Sequence, residues 1–178
     1  DTEDLNKYPR TLDADLELLQ SLNCNLVFIP SIEEIYPENF NLKVEVDFGQ
    51  LFEVLEGNFR PGHFDGVVTV VKRLLDIVQP DNLYMGQKDF QQSTIIAYMI
   101  KELKLPVELT ICRTKREDNG LAMSSRNERL DPKIRSEASI IYKTLKSIKR
   151  YRKSKTISQL IKYGLKRLNK PPFEVEYL

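Results

Sequence analysis

Residues 82–112 read NLYMGQKDFQQSTIIAYMIKELKLPVELTIC, which is two short apolar segments on either side of a longer mixed one. NLYMG (82–86) and VELTIC (107–112) have the length and apolar character of strands. The segment between them, roughly Gln91 to Leu103, has the length of a helix. A strand, a helix and a second strand in this order predict a parallel sheet with helices on its faces, and so an α/β fold.

The residues before this stretch extend the alternation. Leu12, Leu16 and Leu19 mark a helix with Thr11 as its cap. NLVFI (25–29), stopped by Pro30, and the alternating KVEVDF (43–48) predict two more strands, of which the second is the more exposed. A second helix with one wide buried face, ended by Pro80, is predicted by Val67, Val70, Val71, Leu74, Leu75 and Val78.

A different pattern begins after residue 127. Asp131 as N-cap and Pro132 at the first helical position predict a helix start, and Thr156 with Gln159 resembles a capping box. Pro171-Pro172 ends the second helix, and FEVEYL (173–178) has the pattern of a strand just beginning. We therefore divide the chain into residues 1–127 and 128–178. The apolar stripes of these two helices are Ala138, Ile141, Leu145 and Ile148, then Ile157, Leu160, Ile161, Leu165 and Leu168.

Length and composition predict a soluble globular protein with one domain and part of a second. The chain has 178 residues, of which 41% are hydrophobic and 30% charged, with no apolar stretch of membrane-spanning length. Its first residues, DTEDLNKYPRTL, are polar and acidic and do not predict a signal peptide. Cys24 and Cys112 each fall in a predicted strand, so we expect both to be reduced and buried in a cytoplasmic protein. A disulfide between them is the less favoured alternative.

Charge is unevenly distributed along the chain. Residues 1–60 carry 13 acids and four bases, whereas residues 143–170 carry 11 bases and no acid. A basic segment of this kind is typical of nucleic-acid binding, but also of solvated helix faces. The apolar stripes at helical spacing favour the second interpretation, and we expect neither a nucleic-acid nor a membrane partner.

Open parallel sheets bind ligands beyond the carboxyl ends of their strands. GQKDFQQ (86–92) lies after the first strand of the opening stretch, where Lys88 and a helix N-terminus would attract an anion. Gln92 could reach a ligand hydroxyl or carboxylate. The alternative is a solvated turn at Lys88 and Asp89.

Two further stretches carry candidate chemistry. GLAMSSRN (120–127) follows the second strand, and its two hydroxyls and guanidinium suit a polyphosphate, although a polar linker has similar composition. RPGHFDG (60–66) holds the only histidine, His63, which with Arg60 could edge a substrate cleft or serve as a structural residue at a helix entry. Sequence patterns for a Ser–His–Asp triad, a metal-ligand cluster, a dinucleotide fingerprint and a Walker loop are absent.

Four stretches together resemble the pantoate–β-alanine ligase (pantothenate synthetase) family, and the order in which they follow one another along the chain is part of the resemblance. They are EDLNKYPRTL (3–12), RPGHFDG (60–66), GQKDFQQ (86–92) and GLAMSSRN (120–127). The resemblance implies a Rossmann-like nucleotidyltransferase domain, here its C-terminal part, followed by the start of a small α+β lid domain, and a homodimer. It implies that pantoate attacks the α-phosphate of ATP to give pantoyl adenylate and pyrophosphate. β-Alanine then displaces AMP to give pantothenate, with Mg²⁺ assisting. Another adenylyltransferase of the same superfamily is the alternative.

The resemblance also assigns residues by position. Lys88, Ser124, Ser125 and Arg126 would neutralise phosphate charge during catalysis, Gln92 would bind pantoate and Asp15 would assist magnesium. The implied ATP contacts are Gly86, Gln87, Lys88, Asp89, Lys115, Met123, Ser124, Ser125 and Arg126. Gln87 stands where glutamate is usual in the family, and Asn119 where aspartate often precedes the glycine.

The resemblance further implies a His-x-Gly-His motif and a second pantoate-binding glutamine ahead of the first residue of this chain. We therefore expect these 178 residues to carry part of an active site. Alone, they should have little or no ligase activity.

Overall fold

The computed structural model describes residues 11–38 and 43–178. Within these ranges the order is helix α1 (Leu12–Ser21), helix α2 (Ile32–Ile35), a 3-10 turn (Gly49–Phe52), helix α3 (Glu56–Phe59), helix α4 (His63–Val78), strand β1 (Asn82–Gly86), a 3-10 turn (Gln87–Asp89), helix α5 (Phe90–Glu102), strand β2 (Glu108–Cys112), a 3-10 turn (Ser125–Arg129), helix α6 (Pro132–Glu137), helix α7 (Ser139–Tyr151) and helix α8 (Ile157–Leu168).

The opening stretch folds as predicted. β1 and β2 pair in parallel, with Asn82 opposite Glu108 and Gly86 opposite Cys112, and α5 makes the crossover between them. Because both strands run in the same direction, their carboxyl ends lie at one edge of the sheet. The segments that follow Gly86 and Cys112 therefore begin side by side.

The main hydrophobic core lies where α4 and α5 pack against the sheet. Ile95, Ile96 and Met99 of α5 are fully buried, and Phe64 and Val68 of α4 are almost fully buried. Leu83 and Met85 of β1 pack against this cluster from the sheet. This packing fixes the N-termini of both helices relative to the carboxyl edge of the strands.

The first predicted helix is present, but its cap differs from the prediction. Thr11 stands at the N-cap position of α1, yet its side chain caps no backbone N–H; the hydroxyl donates to Oδ1 of Asp15 instead (3.3 Å). The stretch EDLNKYPRTL (3–12) lies outside the described residues except for Thr11 and Leu12.

Three strand predictions are wrong. NLVFI (25–29), KVEVDF (43–48) and FEVEYL (173–178) form no strand, because a strand requires a hydrogen-bonded neighbour and the described sheet has only two strands. In KVEVDF the alternation still predicts burial: Val44, Val46 and Phe48 face the core. A hydrogen bond from the Val46 N–H to the Val44 carbonyl (3.0 Å) bends this backbone out of a strand path.

The prediction for the cysteines is also partly wrong. Both are free thiols, but both are exposed rather than buried. Cys24 lies just past α1, where its N–H caps the helix on the Leu19 carbonyl (3.0 Å), and it is not in a strand. Cys112 is the last residue of β2, at the carboxyl end of the strand.

The C-terminal helices begin where predicted. Asp131 accepts from the Lys133 N–H (2.9 Å), and Thr156 and Gln159 form a reciprocal capping box. α7 and α8 pack on each other, with Thr144 and Leu168 buried, but Ile141, Leu145, Ile157 and Ile161 of the predicted stripes are exposed. No helix within the described ranges is both long and apolar enough to cross a membrane.

Two helical glycines should respond oppositely to a methyl group. A Cβ at Gly164 of α8 would press on Leu178 and lie 3.0 Å from Cδ1 of Ile148, whereas a Cβ at Gly66 of α4 would meet nothing within 4 Å. We expect Gly66→Ala to raise the free energy of unfolding by up to about 1 kcal/mol through helix propensity. Gly164→Ala should lower it by about 1 kcal/mol, because Leu178 and Ile148 must move. Urea denaturation of both variants checks this contrast, and equal gains would contradict the packing described for α8.

Candidate active site

One cleft of about 1450 Å³ gathers the three stretches singled out in the sequence. Residues 60–64 and 88–92 form two of its walls, Ser124–Arg126 forms a third, and Glu176 and Tyr177 approach from the C-terminal segment. These residues are far apart in the chain, and the parallel sheet brings them together. Among the residues assigned by resemblance, Lys88, Asp89, Gln92, Ser124, Ser125 and Arg126 line the cleft.

The N-termini of two long helices face this cleft. α4 begins at His63 and α5 at Phe90, and the first residues of both line the wall. The peptide dipoles of a helix place partial positive charge at its N-terminus. Together with the side chains of Arg60, Lys88 and Arg126, these termini make the cleft suited to an anion.

Lys88 lines the cleft and lies in the 3-10 turn that follows β1. Its Nζ pairs with Oδ1 of Asp89 at 2.8 Å, and both side chains remain partly exposed. An exposed ion pair contributes little to stability, so an incoming phosphate can replace Asp89 as the partner of Lys88. Gly86, just before it, has ordinary β backbone angles and open space where a Cβ would stand, so the fold itself does not require glycine there.

The two glutamines of GQKDFQQ have different roles. Gln91 is buried: its Nε2 donates to the carbonyls of Leu51 and Val54 (both 2.8 Å), and its Oε1 accepts from the Glu56 N–H (3.0 Å). It therefore holds the segment before α4 against α5. Gln92 lines the cleft, and its amide makes no hydrogen bond within the described chain, so it is available to a ligand.

A chain of polar contacts crosses the cleft from the C-terminal segment to α4. The Tyr177 hydroxyl donates to Oε1 of Glu56 (2.8 Å), and Oε2 of Glu56 lies 3.9 Å from Nη1 of Arg60. The same Nη1 lies 3.0 Å from Nε2 of His63. Because an arginine can only donate, Nε2 of His63 must be the acceptor, which places the imidazole proton on Nδ1. Partial burial, followed by the Glu56 contact, raises the pKa of Tyr177 to about 12.

His63 should stay neutral at pH 7. Burial is the largest cause that lowers its pKa below 6.5, followed by the charge of Arg60 and, more weakly, that of Arg126. A protonated ring would have no lone pair for Arg60. Since the folded protein binds this proton less readily than the unfolded chain, the contribution of His63 to stability is lost as pH falls below 6.5.

Nuclear magnetic resonance can test this directly, because the chain has one histidine. We expect its ring protons to titrate below pH 6.5 and the pKa to rise towards 6.5 in Arg60→Leu. Lys72→Met serves as the control, because Lys72 lies further along α4 and pairs with Asp76 (2.6 Å). A wild-type pKa above 6.5, or an equal shift in both variants, would contradict the contact.

GLAMSSRN begins as the return arm of a tight hairpin. Arg116 and Ala122 form an antiparallel bridge, and the Met123 N–H donates to the Lys115 carbonyl (3.0 Å). Gly120 at the turn has φ +95°, which favours glycine, and packs against the Tyr142 ring of α7. After this hairpin the chain enters the cleft at Ser124, whose hydroxyl accepts from the Arg126 N–H (3.3 Å).

Some residues assigned by resemblance lie away from the cleft lining. Gly86 and Gln87 directly precede Lys88 in the chain. Lys115 and Met123 are joined by a backbone hydrogen bond in the hairpin that precedes Ser124. Asp15 is on α1, where it accepts from the Thr11 hydroxyl, and is not among the lining residues. Within residues 11–38 and 43–178, no three His, Cys, Asp or Glu side chains cluster as metal ligands.

Comparison with known proteins decides the family. The model of the pantoate-beta-alanine ligase family matches residues 1–178. The chain belongs to the pantoate–β-alanine ligase family. A pantothenate synthetase of Pseudomonas putida (strain GB-1) is 44% identical over 178 residues, which are 99% of this chain and 62% of that protein. The chain thus spans about three fifths of the length of the curated relatives it matches.

Solved structures of the family share this fold. The crystal structure of a pantothenate synthetase from Thermus thermophilus aligns with a TM-score of 0.88 and 40% identity, covering 95% of this chain and 61% of that one. A pantoate-beta-alanine ligase from Francisella tularensis, complexed with beta-gamma ATP and beta-alanine, aligns with a TM-score of 0.79 and 35% identity over 94% of this chain and 62% of that one. The α/β fold and the Rossmann-like class predicted from the sequence are confirmed.

One departure from the family pattern has a structural explanation. Asn119 uses its side-chain oxygen to accept from the Leu121 N–H (2.8 Å), which closes the hairpin turn. An aspartate carboxylate offers the same acceptor, so the replacement preserves the turn. Gln87 lies in the exposed 3-10 turn before α5, and nothing in the structure explains the change there.

Sequence reasoning missed several cleft residues. Glu56 and Phe59 lie just ahead of RPGHFDG, and an inspection of that flank would have found them. Tyr177 stacks on Phe59 with ring centroids 5.6 Å apart. Its contact with Glu56, 121 residues away, follows from the packing of the C-terminal segment and leaves no local pattern.

Proposed function

We propose that the whole protein containing these 178 residues is an ATP-dependent ligase that condenses pantoate with β-alanine to give pantothenate, AMP and pyrophosphate. The observation that carries this proposal is the single cleft in which Lys88, Gln92 and Ser124–Arg126 converge. Family membership over residues 1–178 supports it. Because the chain spans 62% of the length of its first relative, the activity is assigned to the whole protein.

The first step is an attack on phosphorus. A pantoate carboxylate oxygen bonds to the α-phosphorus of ATP, the bond from that phosphorus to the bridging oxygen breaks, and pyrophosphate leaves with the electron pair. A carboxylate is already a nucleophile, so positioning and charge neutralisation are what the protein must supply. Lys88, Arg126 and the hydroxyls of Ser124 and Ser125 are the side chains of the cleft that can neutralise the phosphates.

The second step is acyl transfer. The neutral amine of β-alanine attacks the carbonyl carbon of pantoyl adenylate, AMP leaves with the electrons of the acyl–oxygen bond, and the amine loses a proton. The Francisella tularensis relative was crystallised with beta-alanine, which supports the same amine substrate here. The cleft, of about 1450 Å³, is large enough to admit this small amine beside the bound adenylate.

Magnesium is the metal that accompanies ATP in this proposal. Mg²⁺ keeps several waters and usually binds through phosphate oxygens and one or two carboxylates. Among the described residues, Asp89 is the carboxylate next to Lys88 in the cleft, and Asp15 is not in the lining. We therefore propose that ATP carries the ion, with Asp89 as a protein ligand inside the cleft and Asp15, on α1, assisting from outside its lining. The ion supplies charge neutralisation on the triphosphate.

Exchange of labelled pyrophosphate into ATP tests the first step. We expect the whole protein to catalyse exchange when pantoate and Mg²⁺ are present and not when pantoate is omitted. Acetate in place of pantoate is the control for a non-specific carboxylate. Exchange that is independent of pantoate would favour another adenylyltransferase of the superfamily.

Gln92 should bind pantoate, and Gln91 gives the matched control. We expect Gln92→Leu to raise the KM for pantoate about tenfold or more, because a hydrogen bond to the substrate is lost, with the free energy of unfolding unchanged. Gln91→Leu should instead lower the free energy of unfolding by about 2 kcal/mol, because three partly buried hydrogen bonds to backbone groups are lost. Steady-state kinetics measure the KM for pantoate, and urea denaturation measures the free energy of unfolding. A raised KM in Gln91→Leu with lowered stability in Gln92→Leu would contradict the geometry described for the start of α5.

We also propose that the whole protein acts in the cytoplasm. Two free, exposed cysteines fit a reducing compartment, which supports the cytoplasm. We also propose a homodimer for the whole protein, measurable by light scattering.

The 178 residues alone should release little or no pyrophosphate from ATP and pantoate, and turnover near that of the whole protein would contradict this expectation.

A further inference from the structure

The segment Ser124–Arg126 is held at both ends. On its N-terminal side, the Met123 N–H is bonded to the Lys115 carbonyl (3.0 Å) in the hairpin. On its C-terminal side, the Asn127 N–H donates to the Ser124 carbonyl (3.0 Å), which closes a 3-10 turn over the segment. The location of Asn127 therefore sets where the two serines and Arg126 stand in the cleft.

Asn127 is itself fixed by its side chain. It is 8% exposed, and its Nδ2 donates to Oε1 of Glu117 (2.8 Å) and to the carbonyl of Ala122 (2.9 Å). Both amide protons are thus used within the protein. A buried amide that loses one of these acceptors would be left unsatisfied, which favours movement of the segment.

Glu117 holds a second partner on the same carboxylate. Nε of Arg135 lies 3.2 Å from both Glu117 oxygens, and Nη2 lies 2.9 Å from Oε1. Arg135 belongs to α6, the first helix after the cleft segment. The hydrogen bonds from Arg135 and Asn127 lower the pKa of Glu117 below its usual value, so it remains ionised at neutral pH.

We propose that Glu117, which does not line the cleft, is a positioning residue that fixes Ser124–Arg126 for the phosphates by joining Asn127 and α6 on one carboxylate. The proposal rests on the proposed function, because it assumes that this segment binds ATP phosphates. It adds a role for a residue of the charged stretch KRED (115–118), which precedes the hairpin turn at Gly120. We call the contacts of the Glu117 carboxylate with Asn127 and Arg135 the Glu117 clamp. Arg135 lies on α6, so the clamp links the Ser124–Arg126 segment to that helix.

A pair of reciprocal substitutions tests the role of Glu117. Asn127→Asp replaces the donating amide by a carboxylate that faces Glu117 and the Ala122 carbonyl, with almost no change in shape. We expect the dissociation constant for Mg·ATP to rise about tenfold to a hundredfold in this variant, because displaced phosphate-binding groups lose their alignment. In the double variant, Glu117→Gln with Asn127→Asp, the introduced glutamine amide can donate to the introduced carboxylate. The double variant should therefore recover part of the affinity, because the contact between residues 117 and 127 returns, whereas the donation to the Ala122 carbonyl and the carboxylate partner of Arg135 do not.

Pantoate affinity and the free energy of unfolding separate positioning from general stability. In Asn127→Asp we expect pantoate binding to stay within about twofold of wild type, because Gln92 lies on a different element. Recovery of ATP affinity in the double variant, with pantoate affinity unchanged throughout, supports the proposal. Equal loss of both affinities, or no recovery in the double variant at wild-type stability, overturns it.

Calorimetry on the wild-type whole protein comes first. If wild type binds Mg·ATP and Asn127→Asp binds it equally well, the positioning role of Glu117 is wrong and the proposed function stands. If wild type binds no Mg·ATP, the proposed function fails, and the role of Glu117 fails with it.

Discussion

Replacing Lys88 by methionine should reduce pantoate-dependent pyrophosphate exchange by about 10²–10³-fold, the loss typical when one charge-stabilising donor is removed from an active site. Methionine keeps the length and apolar stem of lysine and removes the charge. The structure places the Lys88 ammonium in the cleft at the carboxyl end of β1, paired with a partly exposed Asp89 at 2.8 Å. Because that pair is exposed, its loss should change the free energy of unfolding by less than about 0.5 kcal/mol.

Lys101→Met is the matched control for Lys88→Met. Lys101 is at the far end of the same helix region, 81% exposed and outside the cleft lining. The control should retain the exchange rate of wild type. If Lys88→Met kept its exchange rate within about threefold of the control, Lys88 would not be a phosphate ligand and the anion-binding account of GQKDFQQ would be wrong.

Replacing Arg126 should have an effect of similar size, and a graded one. Arginine binds phosphate oxygens through two parallel N–H groups, whereas lysine offers a point charge. We expect Arg126→Lys to lose about tenfold in kcat/KM for ATP and Arg126→Ala about a hundredfold or more. Because the Arg126 charge contributes to the lowered pKa of His63, Arg126→Ala should also raise that pKa.

Arg129→Ala gives the comparison for Arg126→Ala. Arg129 lies in the same 3-10 turn but does not line the cleft. Its removal should leave kcat/KM for ATP within about threefold of wild type. Equal losses in the two alanine variants would mean that the turn has been distorted generally, and would contradict a specific contact from Arg126.

Local patterns predicted the elements around the site well. The apolar segments at 82–86 and 107–112 and the helix between them have bounds within one residue of those predicted, because short apolar runs and the helix-length segment between them are local signals in the sequence. Helix starts at Pro132 and Ile157 were predicted from capping residues, which act within one turn. These features depend on nearest neighbours in the chain.

Features that depend on distant partners were not predicted. NLVFI has the composition of a strand, but a strand is stabilised by a neighbour that its own residues do not specify. Its Leu26 is 81% exposed in the structure. The contact of Tyr177 with Glu56 and the clamp of Glu117 on Asn127 and Arg135 likewise arise from tertiary packing. Resemblance to the family singled out Ser124–Arg126 as the proposed phosphate segment, and the structure added how that segment is held.

A crystal structure of the whole protein with a non-hydrolysable ATP analogue, Mg²⁺ and pantoate would test the central claim most directly. We expect triphosphate oxygens at about 3 Å from Lys88 Nζ and from the Ser124–Arg126 segment, with the pantoate carboxylate near Gln92. Analogue bound elsewhere on the protein, with Lys88 still paired to Asp89 and the cleft empty, would contradict the assignment of this cleft as the ATP site.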